Sequence, residues 1–235
     1  MSESALAPRP VKVRRTLRLS GFLAFMASLM VCGWWWTARA GQTLTFTGIG
    51  SIVFDVALFT VFAMHHSVFA RPWAKRLIER IVPGDLMRTV YVWMASLLLA
   101  AVCVMWVPVG GLLFDAGGAA AALLRLAQCA GLVVGALAIR RTSIGELSGA
   151  WDGGSIRLES TGVYSVMRHP LYTSLLLLLI GTPRMTGDRV VFACASLVFV
   201  VAAMPFEEAG LRQQFGEPYD VYRRAVRWRL IPYIH

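Results

Sequence analysis

Residues 171–205 read LYTSLLLLLIGTPRMTGDRVVFACASLVFVVAAMP, and their pattern is informative about the fold. It contains two apolar runs, at 171–182 and 190–205, and the polar hexapeptide PRMTGD lies between them. Apolar runs that approach 20 residues are typical of helices that cross a lipid bilayer. The stretch therefore predicts a tight helical hairpin in a membrane, whose first arm is marginal in length for crossing.

Four longer apolar runs precede the hairpin. They occupy residues 19–36, 48–69, 90–109 and 119–139. The first would be about 27 Å long at roughly 1.5 Å per residue, just enough to cross the hydrocarbon core. From Glu207 onward the chain turns polar and amphipathic. We therefore expect an all-α, polytopic transmembrane helix bundle of about six membrane helices, including the short C-terminal hairpin, with an amphipathic cytoplasmic tail.

The composition agrees with lipid as the main solvent. Of the 235 residues, 57% are hydrophobic, and the mean hydropathy is +0.62. Only 15% are charged, against roughly 25% in a soluble domain. The length suits one bundle and not several independent domains. Cys32, Cys103, Cys129 and Cys194 each lie within an apolar run and form no CxxC pair, so we expect small buried side chains and neither disulfides nor a metal site.

The basic residues are unevenly distributed between the loops. The net charge is +10, with five Lys and Arg before the first run, five between the second and third, four between the fourth run and the hairpin, and five in the tail. The alternate loops hold three, at Arg39, Arg184 and Arg189, against nineteen on the other side. The positive-inside rule then places both termini in the cytoplasm. Topology and anionic lipid account for the charge, and no motif accompanies it that would favour nucleic-acid binding.

Polar residues inside the apolar runs are costly and therefore informative. Asp55 is expected to pair inside the bundle and Arg125 to extend its side chain outward, with a direct catalytic role as the alternative. His65 and His66 end the second run on the cytoplasmic side, either as ordinary interface residues or as part of a site. Three consecutive tryptophans, 34–36, end the first run and are typical of an anchor at the membrane interface.

The segment GVYSVMRHPLY, residues 162–172, leads directly into the first arm of the hairpin. Pro170 suits the first turn of a helix, where its missing N–H costs nothing. Arg168 and His169 then lie at a helix N-terminus on the cytoplasmic face, where free backbone donors and the positive end of the helix dipole favour an anion such as a carboxylate. Taken alone, the segment is better explained as an ordinary basic loop that caps a membrane span than as an anion site.

A second polar segment follows the hairpin. Glu207 and Glu208 are adjacent at the membrane edge and need cations or hydrogen-bond donors nearby. Tyr219 and Tyr222 are three residues apart and share a face if their segment is helical. Because the predicted topology puts these groups on the same side as the Arg168-His169 pair, together they suit a ligand that carries both a carboxylate and cationic groups.

The ordered motifs between residues 162 and 232 resemble the isoprenylcysteine carboxyl methyltransferase superfamily. The matching elements are Gly-x-Tyr-x-x-x-Arg-His-Pro-x-Tyr, Glu-Glu-x-x-Leu, Phe-Gly-x-x-Tyr-x-x-Tyr and a terminal Ile-Pro. The resemblance implies that S-adenosylmethionine binds in a pocket built from these segments under the cytoplasmic membrane surface. The chain then divides into a basic cytoplasmic N-terminus (1–18), a four-helix transmembrane region (19–139) and a cofactor-binding region (140–235). The cofactor-binding residues that it implies are Tyr164, Arg168, His169, Pro170, Tyr172, Glu207, Glu208, Tyr219 and Tyr222.

Motifs in the first half resemble the bacterial methanethiol S-methyltransferase branch of that superfamily. They are His65-His66-Ser67-Val-Phe-Ala70-Arg71-Pro72, then Pro83, Arg88 and Tyr91, then Trp106-x-Pro108 and Thr182-Pro183-x-Met-Thr186. Residues 140–159 depart from the pattern expected of that branch, so the choice of acceptor stays open. A small thiol is the favoured acceptor, with a prenylcysteine-like carboxylate or a phospholipid amine as alternatives.

The implied reaction is an in-line displacement of the methyl group from the sulfonium, with catalysis by positioning and exclusion of water. Arg168 would hold a carboxylate of the cofactor or of the substrate, and Glu207 and Glu208 would bind cofactor hydroxyls or its ammonium group. A carboxylate acceptor needs no base, whereas a thiol must lose its proton, which suits His169, His66 or a glutamate. The candidate catalytic residues are therefore Arg168, His169, Glu208 and His66.

Functions of two other classes are also compatible with the sequence. A sterol-reductase-like membrane enzyme uses a partly similar C-terminal architecture with a nicotinamide cofactor, and a non-enzymatic membrane sensor or assembly factor would retain the fold without the chemistry. For the methyltransferase, the expected partners are a small or lipophilic methyl acceptor and membrane lipid, without an obligate protein partner. We expect the chain in the inner membrane of a bacterium.

Overall fold

The computed structural model describes residues 11–69, 86–142 and 157–232, together with isolated positions between 74 and 83. Its α-helices are α1 (Val11–Trp34, continued by a π-helical turn Trp35–Arg39), α2 (Ile49–Val68), α3 (Met87–Met105), α4 (Gly118–Thr142), α5 (Pro170–Ile180), α6 (Gly187–Phe215) and α7 (Glu217–Ala225). Part of the first-half motif, residues 70–72, lies outside the described residues.

Five of these helices, α1 to α4 and α6, are long and apolar enough to cross a membrane. Helix α5 is apolar but has only 11 residues, or about 16 Å, so it is a half-length arm. Large apolar side chains such as Leu97, Leu123 and Val198 are exposed on the outer faces of the bundle. This surface suits hydrocarbon as its solvent, and the prediction of an all-α polytopic bundle with about six membrane helices is confirmed.

Helix α6 is longer than the sequence pattern predicts. The apolar run 190–205 predicts an end at the proline, but the helix continues through Pro205 to Phe215. A proline inside a helix removes one backbone hydrogen bond, at a cost of about 3 kcal/mol. Buried side chains on both sides of it, Met204 and Glu208, hold the helix together across that position. Consequently the two adjacent glutamates lie within α6 and not in a polar tail.

A short antiparallel ladder closes the bundle at the end where α3 ends and α6 begins. Strand β1 (Leu112–Asp115) pairs with β2 (Arg184–Thr186), an element that the sequence pattern did not predict. The Asp188 carboxylate then accepts hydrogen bonds from Trp106 Nε1 at 2.8 Å and from the Val109 N–H at 2.9 Å. The turn between α5 and α6 is therefore fixed to the loop that follows α3.

An aromatic core lies next to this ladder. Trp35 is only 2% exposed, and its ring lies 4.9 Å from that of Trp106 and 5.1 Å from that of Phe192. Of the three tryptophans expected at the membrane interface, Trp35 thus belongs to the core, while Trp34 is exposed. Asp55 is fully buried in α2, and its Oδ1 accepts from the Val107 N–H at 2.9 Å, so it pairs inside the bundle.

Three of the polar or small side chains in the apolar runs face outward. Arg125 is exposed on α4, in agreement with the expected outward extension of its side chain. Cys129 and Cys194 are also exposed, whereas Cys103 is buried and Cys32 packs against the core. The expectation of four buried cysteines is therefore wrong for two of them, because the outer face of a membrane helix is as apolar as its inner face.

The half-length helix α5 is held tightly against α4. A Cβ atom at Gly131 would lie 3.0 Å from the Ser174 carbonyl oxygen and 3.0 Å from Leu177 Cβ, so only glycine permits this approach without displacement. The Ser174 hydroxyl donates to the Gly131 carbonyl at 2.8 Å. Small residues at helix contacts are typical of membrane bundles because they let backbones approach closely. This contact fixes the position of the N-terminus of α5.

Helix α7 turns the chain back over that N-terminus. Gly216 has φ +62, a conformation that favours glycine, and it ends α6 and begins α7. Tyr219 and Tyr222 are both buried on one face of α7, with ring centroids 6.1 Å apart. The shared face expected for the two tyrosines is therefore present, and the segment after α7 runs back towards α5.

Candidate active site

A buried carboxylate lies at the centre of the polar groups. Glu208 Oε1 lies 2.9 Å from Arg168 Nε and 3.2 Å from His169 Nε2, and Glu208 Oε2 lies 3.3 Å from Arg229 Nη2. The Glu208 side chain is only 7% exposed. A buried charge is tolerated only when it is paired and hydrogen-bonded, and these three partners satisfy that requirement. Glu208 therefore joins α6, the start of α5 and the C-terminal segment.

Arg168 also anchors the C-terminal segment. Its Nη1 donates to the backbone carbonyls of Val226 at 2.7 Å and of Arg227 at 2.8 Å. The backbone N–H groups of Arg168 and His169 donate to carbonyls further along the same segment, each at 2.9 Å. The anion site expected before α5 therefore has fewer free donors than predicted, because the backbone N–H groups of Arg168 and His169 already donate to carbonyls of the tail. The Nη2 end of Arg168 is the part left for a ligand.

His169 lies between the two adjacent glutamates. Its Nε2 faces Glu208, and its Nδ1 lies 3.7 Å from Glu207 Oε2. The ring stacks on that of Tyr172 at 5.5 Å, with an interplanar angle of 18°. The Glu207 side chain is 47% exposed, in contrast to Glu208. Of the two carboxylates, Glu207 is therefore the one that a ligand can reach.

Tyrosines form the adjoining wall of the site. The Tyr222 hydroxyl donates to the Tyr164 carbonyl at 2.8 Å, which ties α7 to the short 3-10 turn Gly162–Ser165. Tyr219 is 1% exposed, and its hydroxyl has no hydrogen-bond partner in the part of the chain that the structure describes. Burial raises the pKa of Tyr219 to about 12, so the group is a neutral phenol at physiological pH. Such a hydroxyl is available to a polar ligand.

His66 occupies a separate position at the end of α2. The Tyr91 hydroxyl lies 2.8 Å from His66 Nδ1 and 3.2 Å from the His66 carbonyl oxygen. The His66 ring stacks on Phe62 at 6.0 Å and meets Phe199 edge to face at 6.0 Å. His66 is thus held by α3 on one side and by α6 on the other.

Packing connects His66 to the polar cluster without direct contact. Phe199 and Tyr172 both pack against the buried cluster that contains Val200. Since Tyr172 stacks on His169, His66 is linked to the ion pairs through Phe199, this buried cluster and Tyr172. The structure therefore places the candidate catalytic residues in two adjacent groups and not in one.

An apolar groove runs between α2 and α6 beside His66. Its volume is about 580 Å³, and it is partly open to the outside of the bundle. Ala63 and Ser67 line it from α2, and Cys194, Phe199 and Phe206 line it from α6. Because Phe206 directly precedes the exposed glutamate of the cluster, the groove extends to the level of the polar site. Its lining suits an apolar or small uncharged molecule.

Most of the predicted residues come together at this end of the bundle. Arg168, His169, Tyr172, Glu207 and Glu208 form the cluster, Tyr164, Tyr219 and Tyr222 form the adjoining wall, and Pro170 is buried in the first turn of α5. Sequence reasoning missed Arg229 as a partner of Glu208 and Tyr91 as a partner of His66. Tyr91 belongs to the first-half motif, whereas Arg229 is one of five basic residues in the tail and its spacing gives no signal.

Comparison with known proteins identifies the family. A family model described as phospholipid methyltransferase matches residues 120–218. The chain is 32% identical over 190 residues to methanethiol S-methyltransferase 2 of Bradyrhizobium diazoefficiens, covering 77% of this chain and 73% of that protein. It is 30% identical over 195 residues to the methanethiol S-methyltransferase of Mycobacterium tuberculosis, covering 79% of this chain and 80% of that protein.

A shorter match covers the C-terminal region. The chain is 36% identical over 73 residues to protein-S-isoprenylcysteine O-methyltransferase B of Arabidopsis thaliana, which is 30% of this chain and 37% of that protein. No solved structure matches the chain. The proteins matched over most of the chain are methyltransferases by name, and the described part of this chain has five helices that are long and apolar enough to cross a membrane. The chain is therefore a methyltransferase that belongs to the isoprenylcysteine carboxyl methyltransferase superfamily of integral membrane proteins, in its methanethiol S-methyltransferase-like branch.

Proposed function

We propose that this protein is an integral membrane, S-adenosylmethionine-dependent methyltransferase whose acceptor is a small thiol of the methanethiol type. The observation that carries the choice of acceptor is the position of His66. Its imidazole meets the ring of Phe199, which lines the apolar groove. Phe199 and Tyr172 pack against the same buried aliphatic cluster, and Tyr172 stacks on His169. A thiol that enters along the groove would meet a base next to the polar cluster.

The polar cluster suits S-adenosylmethionine, which carries a carboxylate, an ammonium group and ribose hydroxyls. The half-exposed Glu207 carboxylate would accept from the ammonium group or a hydroxyl, and the Nη2 end of Arg168 would donate to the carboxylate. The buried Tyr219 hydroxyl, which has no partner within the described residues, offers a further contact. When bound there, S-adenosylmethionine would supply an electrophilic methyl group, and the electron pair of the broken C–S bond would stay on its own sulfur.

The choice of a thiol rests on the need for a base that is not already engaged. Both ring nitrogens of His169 face carboxylates, so that imidazole is committed to the cluster. His66 has one nitrogen at Tyr91, which leaves the other for an acceptor. A free thiol has a pKa near 8.5 and must lose its proton to become a good nucleophile. His66 therefore has a role with a thiol acceptor that a carboxylate would not require.

The relatives matched over most of the chain favour the same acceptor. Those of Bradyrhizobium diazoefficiens and Mycobacterium tuberculosis are both methanethiol S-methyltransferases by name. Their names also favour methyl transfer over a nicotinamide-dependent reduction and over a non-enzymatic role. Residues 140–159, which depart from the expected pattern, lie partly outside the described part of the chain. They therefore favour neither the thiol nor the other acceptors.

A prenylcysteine-like carboxyl acceptor is the second candidate. The match to the Arabidopsis thaliana isoprenylcysteine enzyme covers the C-terminal region that contains the cluster. The groove volume of about 580 Å³ is also far larger than a one-carbon thiol fills. Phospholipid N-methylation, which the description of the family model suggests, is the third acceptor class to be tested.

The proposed location is the inner membrane of a bacterium, with both termini in the cytoplasm. S-adenosylmethionine is charged and water-soluble, so its site must open to the aqueous side that contains it. The nineteen-to-three distribution of basic residues supports a cytoplasmic position for α7 and the start of α5. The proposed site then faces the compartment in which the methyl donor is made.

The test is to measure ligand binding and turnover on one detergent-purified sample. Labelled S-adenosylmethionine should bind and NADPH should not, and methanethiol should be methylated faster than a prenylated cysteine analogue or phosphatidylethanolamine. Turnover of the prenylcysteine alone would replace the thiol with the second candidate. Binding of NADPH without S-adenosylmethionine would contradict methyl transfer altogether.

A further inference from the structure

We infer that Tyr91 is a positioning residue that holds His66 in one tautomer, with the hydrogen on Nδ1 and the lone pair on Nε2, so that Nε2 accepts the proton of the thiol. This assignment rests on the proposed thiol methylation and names the residue that prepares its base. Tyr91 itself would touch neither the acceptor nor S-adenosylmethionine.

The tautomer follows from the two contacts of one hydroxyl group. The Tyr91 oxygen lies 2.8 Å from His66 Nδ1 and 3.2 Å from the His66 carbonyl oxygen. A carbonyl oxygen accepts only, so the single hydroxyl hydrogen of Tyr91 must be donated to it if both contacts are hydrogen bonds. The phenol oxygen must then accept from Nδ1–H. In this arrangement the neutral ring carries no hydrogen on Nε2.

Neighbouring rings keep both partners in place. The Tyr91 ring lies between the two histidines, with His65 at 5.6 Å and an interplanar angle of 18°. His66 stacks on Phe62, and Phe199 closes its other side. Neither side chain can rotate freely without disturbing this packing. The hydrogen bond between them is therefore held in a fixed geometry, as a base requires.

The second ring nitrogen lies on the side of the imidazole away from Tyr91. The two ring nitrogens of an imidazole lie on opposite sides of the carbon between them, so Nε2 points away from α3 when Nδ1 faces Tyr91. The residues on either side of His66 in its helix turn, Ala63 and Ser67, line the groove, as does Phe199. His66 itself is not among the described residues that line the groove, so the proposed step requires a thiol to pass between these three side chains to reach Nε2.

In the proposed step, His66 accepts the proton of the thiol as the acceptor sulfur bonds to the methyl carbon of S-adenosylmethionine. The thiol proton passes to His66 Nε2, and the electron pair of the S–H bond stays on the acceptor sulfur, which forms the new bond to the methyl carbon. His66 is then an imidazolium with Nδ1–H still donated to Tyr91. It returns to the neutral form by releasing the proton to water before the next turnover.

Loss of the Tyr91 hydroxyl should therefore weaken the base without removing it. In the Tyr91→Phe variant, Nδ1–H has no acceptor and both tautomers become populated. Removal of such a supporting partner typically costs about 10- to 100-fold in activity. We expect kcat/KM for the thiol to fall about tenfold, with the dissociation constant of S-adenosylmethionine unchanged.

The experiment combines nitrogen NMR of the imidazoles with kinetics. The chain has only four histidines, so ¹⁵N-histidine labelling gives four pairs of ring signals, and the His66→Gln variant assigns one pair. The spectrum of the unmodified protein should show His66 protonated on Nδ1 at neutral pH, and protonation on Nε2 would overturn the inference. This readout needs neither a folded Tyr91 variant nor an active sample.

The kinetic arm separates positioning from packing. Tyr91→Phe should add little to the loss already caused by His66→Gln, whereas equal losses in both backgrounds would overturn the positioning role. Phe62→Leu is the matched control, because it alters packing on His66 without removing a hydrogen bond, and its pH profile should keep the original midpoint. If the unmodified protein methylates no thiol, the proposed function fails. If it does so and Tyr91→Phe matches it in rate and pH profile, only the inference fails.

Discussion

Glu207 and Glu208 are adjacent in the sequence, but the structure gives them different environments. Glu208 is 7% exposed and contacts Arg168, His169 and Arg229. Glu207 is 47% exposed and contacts His169 at 3.7 Å. A carboxylate with three internal partners has little capacity left for a ligand, so we assign Glu208 to assembly of the site and Glu207 to binding of the methyl donor.

Replacement of each glutamate by glutamine should separate these roles. Glu207→Gln should weaken S-adenosylmethionine binding about 10- to 100-fold, since a hydrogen bond to a charged group contributes roughly 1.5–3 kcal/mol. Its melting temperature should stay close to that of the unmodified protein. Isothermal titration and thermal unfolding of one sample measure both quantities.

Glu208→Gln should have the opposite pattern. The change leaves Arg168 and Arg229 without their buried carboxylate, and loss of one partner from a buried ion pair costs about 3–5 kcal/mol. A clear drop in melting temperature is therefore expected, and any weaker binding should follow from it. Equal melting temperatures with weaker binding in Glu208→Gln alone would reverse the assignment.

The pH dependence of turnover tests the proposed base. If His66 accepts the thiol proton, kcat/KM for methanethiol should rise with pH as the imidazole loses its charge, because only the neutral ring is a base. His66→Gln should flatten the rise and leave cofactor affinity intact. A carboxylate acceptor stays ionised over this range and should give a nearly flat profile from pH 6 to 8.

Elements were predicted well at their centres and less well at their ends. Each apolar run coincides with a helix, because hydrocarbon leaves a helix as the way for a single segment to satisfy its backbone. The extension of α6 through Pro205 was not predictable, since the buried contacts of Met204 and Glu208 that compensate for the proline are tertiary. The ladder between β1 and β2 joins segments about 70 residues apart, and no local pattern indicates it.

The same division holds for the site. The convergence of Arg168, His169 and the two glutamates followed from the charge pattern and the order of the motifs. The capture of Arg168 by carbonyls of the tail was not predictable, because a backbone carbonyl is present at every residue and leaves no mark in the sequence. The predicted anion site was too open for this reason.

A glycine-to-alanine substitution, which adds one methyl group, can test how closely the start of α6 packs against the loop after α3. A Cβ atom at Gly187 would overlap the Gly110 carbonyl oxygen, which belongs to the segment held by Asp188. Gly187→Ala should therefore destabilise the protein by about 1–3 kcal/mol, the usual cost of overpacking. Gly117→Ala is the matched control, since nothing lies within 4 Å of the place that its methyl group would take. Thermal unfolding in detergent measures both, and equal stability would show that the contact is loose.

At the scale of the whole molecule, charge and chemistry agree on one orientation. The polar cluster, α7 and the short 3-10 turn lie at one end of the bundle, and the ladder lies at the other. Nineteen of the basic residues belong to the segments that the sequence pattern assigns to the first end, against three in those assigned to the second. Both the positive-inside rule and access for a charged methyl donor then favour the cytoplasm as the location of the first end.

Cysteine accessibility tests this orientation. In a background without the four native cysteines, Gly117→Cys should react with a membrane-impermeant maleimide added outside intact cells, and Ser160→Cys should react only after lysis. These positions lie beside the ladder and beside the 3-10 turn, respectively. Labelling of Ser160→Cys from outside, with none at Gly117→Cys, would invert the topology.

The most direct measurement follows the methyl group itself. Purified protein is incubated with S-adenosylmethionine that carries a trideuterated methyl group and with methanethiol, and the headspace is analysed by mass spectrometry. We predict dimethyl sulfide with a single trideuterated methyl group, formed over many turnovers and strongly reduced in the Glu207→Gln and His66→Gln variants. The absence of labelled dimethyl sulfide from a sample that binds S-adenosylmethionine, with the label appearing instead in a prenylcysteine ester or a phospholipid, would contradict thiol methylation.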